Sequence, residues 1–191
     1  MTQATPDITI SPTPDAQTTL AAWISLEEQV LARSRRGAGP GVATPAQIAG
    51  LSGLQIMQGI LDGTLPSAPM LHTVQGLMVE VDAGRVVFQG SPSAAHLNPL
   101  GTVHGGWFAT LLDSALGCAV HTRLPPQRGY TTAEFSINIV RALTPGVQRV
   151  RAIGQVVHAG RQLATAEGRL VGPDGTLYAH ATTTCLVFDR R

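Results

Sequence analysis

HGGWFATLLDSALGCAVHTRL, residues 104–124, decides how this chain folds. From Gly106 to Leu124 nothing interrupts a helix until Pro125-Pro126 closes it. Apolar side chains occupy nearly every face: Trp107, Phe108, Ala109, Leu111, Leu112, Ala115, Leu116, Ala119 and Val120. A helix lying on a surface carries one apolar stripe, whereas a helix that is apolar all round must be enclosed. The segment therefore predicts a helix wrapped on most sides.

The flanks supply the wrapping. Upstream, HTVQGLMVEVD (72–82) and RVVFQG (85–90) are β-type runs separated by Ala-Gly, which suits a hairpin. Downstream come four more strand candidates, YTTAEFSINIVRAL, VQRVRAIGQVVHAG, RQLATAEGRLVGPDG and TLYAHATTTCLVF, between residues 130 and 188. Ala159-Gly160 joins the middle pair and Pro173-Asp174-Gly175 the last. Two strands, one very apolar helix and four strands, with no internal repeat, predict an α+β hotdog fold, one antiparallel sheet curled around the helix.

Ahead of this lies an extension. Residues 1–18 are rich in Thr, Pro, Asp and Gln and predict a mobile arm. LAAWISLEEQVLAR (20–33) has helical spacing, and the Gly and Pro of residues 34–45 make a loop in which Arg35 and Arg36 are solvated. A second helix is expected from about Pro45 to Gly63. The expected division is an arm (1–18), a helical extension (19–66) and a main domain (67–191).

A formal net charge of +1, with no Lys/Arg stripe, gives no reason to expect nucleic acid or a membrane surface as partner. No metal-ligand spacing occurs, and neither metal nor cofactor is expected. Cys118 and Cys185 sit in apolar stretches without CxxC spacing, as small core residues of a reducing compartment. The first residues have no basic and apolar leader pattern, and no apolar run reaches the roughly 20 residues that cross a bilayer. A cytoplasmic setting is the expectation.

Asp113 is the residue that does not belong, a carboxylate in the middle of the apolar helix. It either lies on a narrow exposed strip, pairs with an arginine such as Arg141, or is a partly desolvated base or nucleophile. The residues before the helix bear on this choice. In NPLGTVHGG (98–106), two glycines at a helix start let a substrate approach the backbone. The free N–H groups there, with the helix dipole, can hold developing negative charge. Taken singly, Asn98 is a loop residue bonding its own backbone and His104 a structural residue; together with Asp113 they favour the carboxylate as a base or nucleophile.

The pattern N-x-x-G-x-x-H-G-G, an apolar stretch and Asp, here NPLGTVHGGWFATLLDSALG (98–117), resembles the PaaI-type acyl-CoA thioesterases of the hotdog superfamily. The likeness runs over roughly residues 70–188, including Gly160-Arg161. It implies that the Gly105 N–H polarises the thioester carbonyl and that Asp113 activates water or attacks directly. It also implies that Asn98 positions water or carbonyl, that His104 shapes the loop, and that Thr131, eighteen residues after the acid, orients the water. Thr131 read alone is an ordinary strand residue. Arg161, otherwise a solvated turn arginine, is the candidate for the CoA phosphates. Gly106 lies at the substrate's approach, and Trp107, Phe108 and Met57 are candidates for the acyl pocket.

Gly105 and Asp113 are eight residues apart, about 12 Å along one helix. A base works within about 3 Å of its proton. Two antiparallel copies bring both groups to one thioester, matching the obligate dimers the resemblance implies, as a homodimer or a homotetramer built as a dimer of dimers. Two alternatives stand beside acyl-CoA hydrolysis. One is a hotdog hydratase of enoyl or hydroxyacyl thioesters, for which His121 is badly spaced from Asp113. The other is a non-catalytic acyl-CoA-binding protein.

Overall fold

The computed structural model describes residues 15–190. Four helices precede the sheet: α1 (Ala16–Arg36), α2 (Pro45–Ile48), α3 (Gly53–Asp62) and α4 (Pro69–Thr73). A hairpin of β1 (Gly76–Asp82) and β2 (Arg85–Gly90) follows, then the apolar helix α5 (Gly105–His121). Four strands complete the chain, β3 (Arg128–Ile139), β4 (Val150–Ala159), β5 (Leu163–Val171) and β6 (Leu177–Asp189). All neighbours are antiparallel, in the order β1-β2-β4-β5-β6-β3. This is the expected hotdog fold.

The sheet closes tightly on the helix because the strand residues beneath it are small. Gly154 on β4 lies so close to α5 that a Cβ there would stand 2.4 Å from the Ala115 carbonyl oxygen. Gly90 on β2 leaves the space that Leu111 and Trp107 fill. Leu111, Leu112, Ala115, Leu116, Ala119 and Val120 are fully buried as a result.

Three boundaries differ from the sequence reading. The second helix is two, because Gly50 takes φ +75° and separates α2 from α3; Thr44 and Ser52 each open a helix with a capping box. Residues 72 and 73, expected to begin the first strand, belong to α4, since Pro69 opens a helical turn and Gln75, at φ 53°, ends it before β1. Of the expected arm 1–18, residues 1–14 lie outside the described residues, and residues 16–18 are already helical.

The extension is bound to the main domain at two places. α3 seats on the end of α5: the Gly53 N–H donates to the Leu124 carbonyl at 2.9 Å, and a Cβ on Gly53 would fall 1.8 Å from the His121 oxygen. α1 crosses the other face of the sheet, where Trp23 lies under the Arg151 guanidinium, 4.5 Å from ring centroid to Cζ. Arg149 donates to Glu27 at 2.5 Å, and the buried Gln89 amide donates to Glu27 at 2.6 Å. Arg151 donates in turn to Gln89 and to Glu80, at 3.0 and 2.6 Å. Each buried polar group in this chain of contacts has a partner, as burial requires.

β3 is a sheet edge twelve residues long, paired only with β6. Beside it Ile139 and Val140 are 46% and 55% exposed. A long edge with exposed apolar residues invites another strand.

Candidate active site at the two ends of one helix

The loop into α5 is held by Asn98. Its Oδ1 accepts the N–H groups of Leu100 and Thr102 at 2.9 and 3.2 Å, and its Nδ2 donates to Thr102 Oγ1 at 2.9 Å. Gly101, at φ +79°, completes the turn. Its own loop therefore engages Oδ1 and one of the two Nδ2 hydrogens, as the local reading of Asn98 expects.

His104 is the N-cap of α5. Its Nδ1 accepts the Gly106 N–H at 2.9 Å while its own backbone N–H donates to the His96 carbonyl at 2.8 Å. Accepting at Nδ1 places the ring proton on Nε2. Gly106, expected to meet substrate, thus has its N–H taken, and its neighbour does not. Among the described residues nothing accepts the Gly105 N–H, at the first position of the helix. One donor is left open there, at the positive end of the helix dipole. His96 lies alongside, its ring 5.5 Å from that of Trp107 and its Nδ1 accepting from the Ser93 N–H.

Asp113 is half-buried on the same helix, and Thr132 Oγ1 donates to its Oδ1 at 2.9 Å. The expected hydroxyl, Thr131, is exposed and pairs with Leu186 on the opposite face of β3. Side chains alternate along a strand, so Thr132 shares its face with Tyr130, which covers the helix, and Thr131 does not. The irregularity between Thr132 and Glu134 follows directly after. Period two, counted from the aromatic Tyr130, would have identified Thr132. Arg141 makes no ion pair with Asp113 among the described residues, so that reading of the carboxylate is set aside.

The groups beside Asp113 are held neutral. Burial pushes the Cys118 thiol up to about 12, with Asp113 adding to the effect and the Tyr130 hydroxyl opposing it. Burial likewise raises Cys185 and takes Tyr130 well above the usual phenol range. None of these is a nucleophile at neutral pH. His121 is depressed to about 4 by burial and by Arg190, whose Nη2 is 3.0 Å from its Nε2. It stacks near Tyr130, at 5.3 Å between centroids, and is not paired with Asp113. The acid-histidine pair that hydration chemistry wants is absent among the described residues.

Trp107 and Phe108 are core residues, 4% and 1% exposed, and the Trp107 indole N–H donates to the Val74 carbonyl at 2.8 Å. Their size and this bond make them supports of the sheet. Arg161 is exposed just beyond the turn after β4, beside a groove of about 380 Å³ shared with Arg128, Gln162 and Phe188. Arg128 is neutralised by Asp189 at 2.8 Å, whereas Arg161 has no acidic partner among the described residues. Ala164, three residues on, pairs with Cys185, which pairs with Thr132. Arg161 is therefore about 10 Å along the strands from the hydroxyl that holds Asp113. Among the described residues no helix is long and apolar enough to cross a membrane.

The Thioesterase superfamily profile matches residues 100–179, which contain Gly105, Asp113 and Thr132. A Halobacterium salinarum protein with a provisional esterase name is 38% identical over 82 residues, 43% of this chain; the chain spans about half, 54%, of that relative's length. Among solved structures, a Thermus thermophilus protein is 31% identical with a TM-score of 0.58, over 63% of this chain and 97% of its own. A mutant of the phenylacetic acid degradation protein PaaI from the same organism is 30% identical with a TM-score of 0.57, over 62% and 97%. These two are matched almost whole, while more than a third of this chain is left over, a stretch comparable in length to the N-terminal extension.

Proposed function

Since this chain belongs to the Thioesterase superfamily, and within it resembles the PaaI-type hotdog proteins, we propose that it hydrolyses aryl- or medium-chain acyl-CoA thioesters to free acid and CoA. The observation that carries the reading is the pairing of one open donor, the Gly105 N–H, with one hydroxyl-oriented carboxylate, Asp113, on a single helix. Eight residues of helix keep them about 12 Å apart, too far to act on one carbonyl. A second copy running antiparallel alongside α5 brings its Gly105 to this Asp113.

Two features favour that assembly, as a homodimer or a dimer of dimers. The unpaired β3 edges can continue one sheet into the next. The outward face of α5 is small and self-contained: Thr110 donates to the Gly106 carbonyl at 2.9 Å and Ser114 to that of Thr110 at 2.7 Å, so another helix can approach closely.

In the shared site Thr132 holds Oδ1 of Asp113, leaving Oδ2 toward water. Asp113 takes a proton as the water oxygen adds to the thioester carbon, and the carbonyl oxygen gathers negative charge on the Gly105 N–H. The carbonyl re-forms, the C–S bond breaks, and the sulfur leaves as the CoA thiol with the proton Asp113 took. Direct attack by Asp113, through an acyl anhydride that water then opens, uses the same two groups. Arg161, which has no acidic partner among the described residues, is our candidate for the CoA phosphates. His104 and Asn98 act one step back, by fixing the helix start that presents Gly105.

The test is release of free thiol from a panel of acyl-CoAs by wild type and Asp113→Asn. Turnover that falls by about 10² or more in a folded variant is expected. Near wild-type turnover would assign Asp113 a purely structural place, and no thiol release from any acyl-CoA would leave acyl-CoA binding without hydrolysis as the reading.

A further inference from the structure

Between the extension and the main domain lies an apolar cavity of about 60 Å³. Met57 and Ile60 of α3 wall one side; Leu71 of α4, Met78 of β1 and Phe88 of β2 wall the other. Cys118 of α5, five residues beyond Asp113, also lines it. At the rim Ser67 Oγ and His72 Nε2 bond each other at 3.0 Å, which satisfies both.

We propose that this cavity receives the far end of the substrate's acyl chain, so that the N-terminal extension selects straight aliphatic acyl-CoAs of medium length. The inference rests on the thioesterase reading and deepens it. The argument runs from volume, lining and distance. At 10–15 Å³ for each water-sized group, the space takes about four to six methylenes and is too small for the CoA nucleotide. Its walls offer carbon, two flexible methionines and a neutral thiol, which receive an alkyl tail and repel a charge. Cys118 lies about 7.5 Å along α5 from Asp113. About six carbon–carbon bonds, each advancing about 1.3 Å, span that distance. Six atoms of reach and about four to six of tail give an optimum of about ten to twelve carbons. Because α3 supplies one wall, a chain without the extension would leave this tail in solvent.

Filling the cavity tests the proposal. Ile60→Phe places bulk within it, and Gln58→Phe places the same bulk on the exposed side of α3. The measured quantity is the ratio of kcat/KM for decanoyl-CoA to that for butyryl-CoA. Each buried methylene contributes about fourfold, so losing two or more should lower the ratio at least tenfold in Ile60→Phe and leave it unchanged in Gln58→Phe. Should Ile60→Phe fail to fold, Ile60→Ala makes the complementary test, enlarging the space and moving the optimum to longer chains. An unaltered ratio in a folded cavity variant, with butyryl-CoA still hydrolysed, overturns the cavity and leaves the thioesterase reading intact. Calorimetric titration with decanoyl-CoA separates the converse case: binding that Ile60→Phe weakens tenfold, without thiol release in either protein, keeps the cavity and removes the hydrolysis.

Discussion

Replacing Gly105 with proline should remove one N–H from the protein and little else. Position 105 is the first residue of α5, where proline's fixed φ suits the helix and where this donor has no acceptor among the described residues. The residue before a proline must be extended, and His104 already is, at φ −62° and ψ 137°. The remaining cost is steric: a Cβ on residue 105 would lie 3.2 Å from Cδ1 of Ile139, the end of a flexible side chain. Gly105→Ala carries that same crowding and keeps the N–H, which makes it the reference. Relative to alanine, proline should leave the Tm within about 3 °C. It should lower kcat by about 10²–10³, the worth of one preorganised oxyanion donor, about 2.7–4 kcal/mol. The assay is steady-state thiol release, with Tm from calorimetry. The same variant tests sharing. Co-expressed with Asp113→Asn chains, half of the randomly formed dimers are mixed, and each mixed dimer has one site free of both lesions, so about a quarter of wild-type activity should return. Proline turning over within threefold of alanine would remove the Gly105 N–H from the chemistry. Activity staying at background, with mixed dimers confirmed by mass spectrometry, would refute the two-chain site.

Other expectations follow from the same contacts. Thr132→Val should cut kcat by about tenfold by freeing the Asp113 carboxylate, while Thr131→Val leaves it within twofold; equal effects in steady-state assays would deny Thr132 its orienting part. Gly53→Ala should lower stability by about 1–3 kcal/mol in urea unfolding, because its Cβ meets backbone at 1.8 Å; an unchanged midpoint would mean that α3 is not seated on α5. His121 titrates near 4 in the folded chain and near 6.5 unfolded, so the unfolded state binds the extra proton between those values. Its contribution is complete above pH 6.5 and is lost as pH falls through 4, about 3 kcal/mol at most; His121→Gln should flatten that part of the stability profile.

Most of the architecture is legible in the sequence because one helix, apolar on every side, allows few solutions. The six strands follow from alternation and turn residues. Errors arise where two local rules compete. Gly50 sits inside a run that otherwise reads as one helix, and only its left-handed φ makes it a break. Residues 72 and 73 stand at the head of a strand-like run, yet the helical turn that Pro69 opens takes them. In the site, Asp113 and Gly105 stand out in the sequence because each violates its surroundings, a charge among leucines and a glycine at a helix start. For Asn98 and Gly106 the local partners are not legible in the sequence, because the bonds to Thr102 and His104 form only once the loop has turned. For Trp107 size alone does not decide, because it marks a pocket wall and a core support alike.

The bonds that fasten α1 also bear on the order of events at the ribosome. Glu27 closes on Gln89, 62 residues later, and on Arg149, 122 residues later. At about 5–20 residues per second, the first helix waits about 6–24 seconds after its own synthesis for the arginine that anchors it. During that interval Trp23 and Val30 lack the surfaces they later cover, so the nascent chain presents an amphipathic helix to whatever is nearby. α1 is therefore secured only once Arg149, at the entrance to β4, has emerged, long after the helix itself.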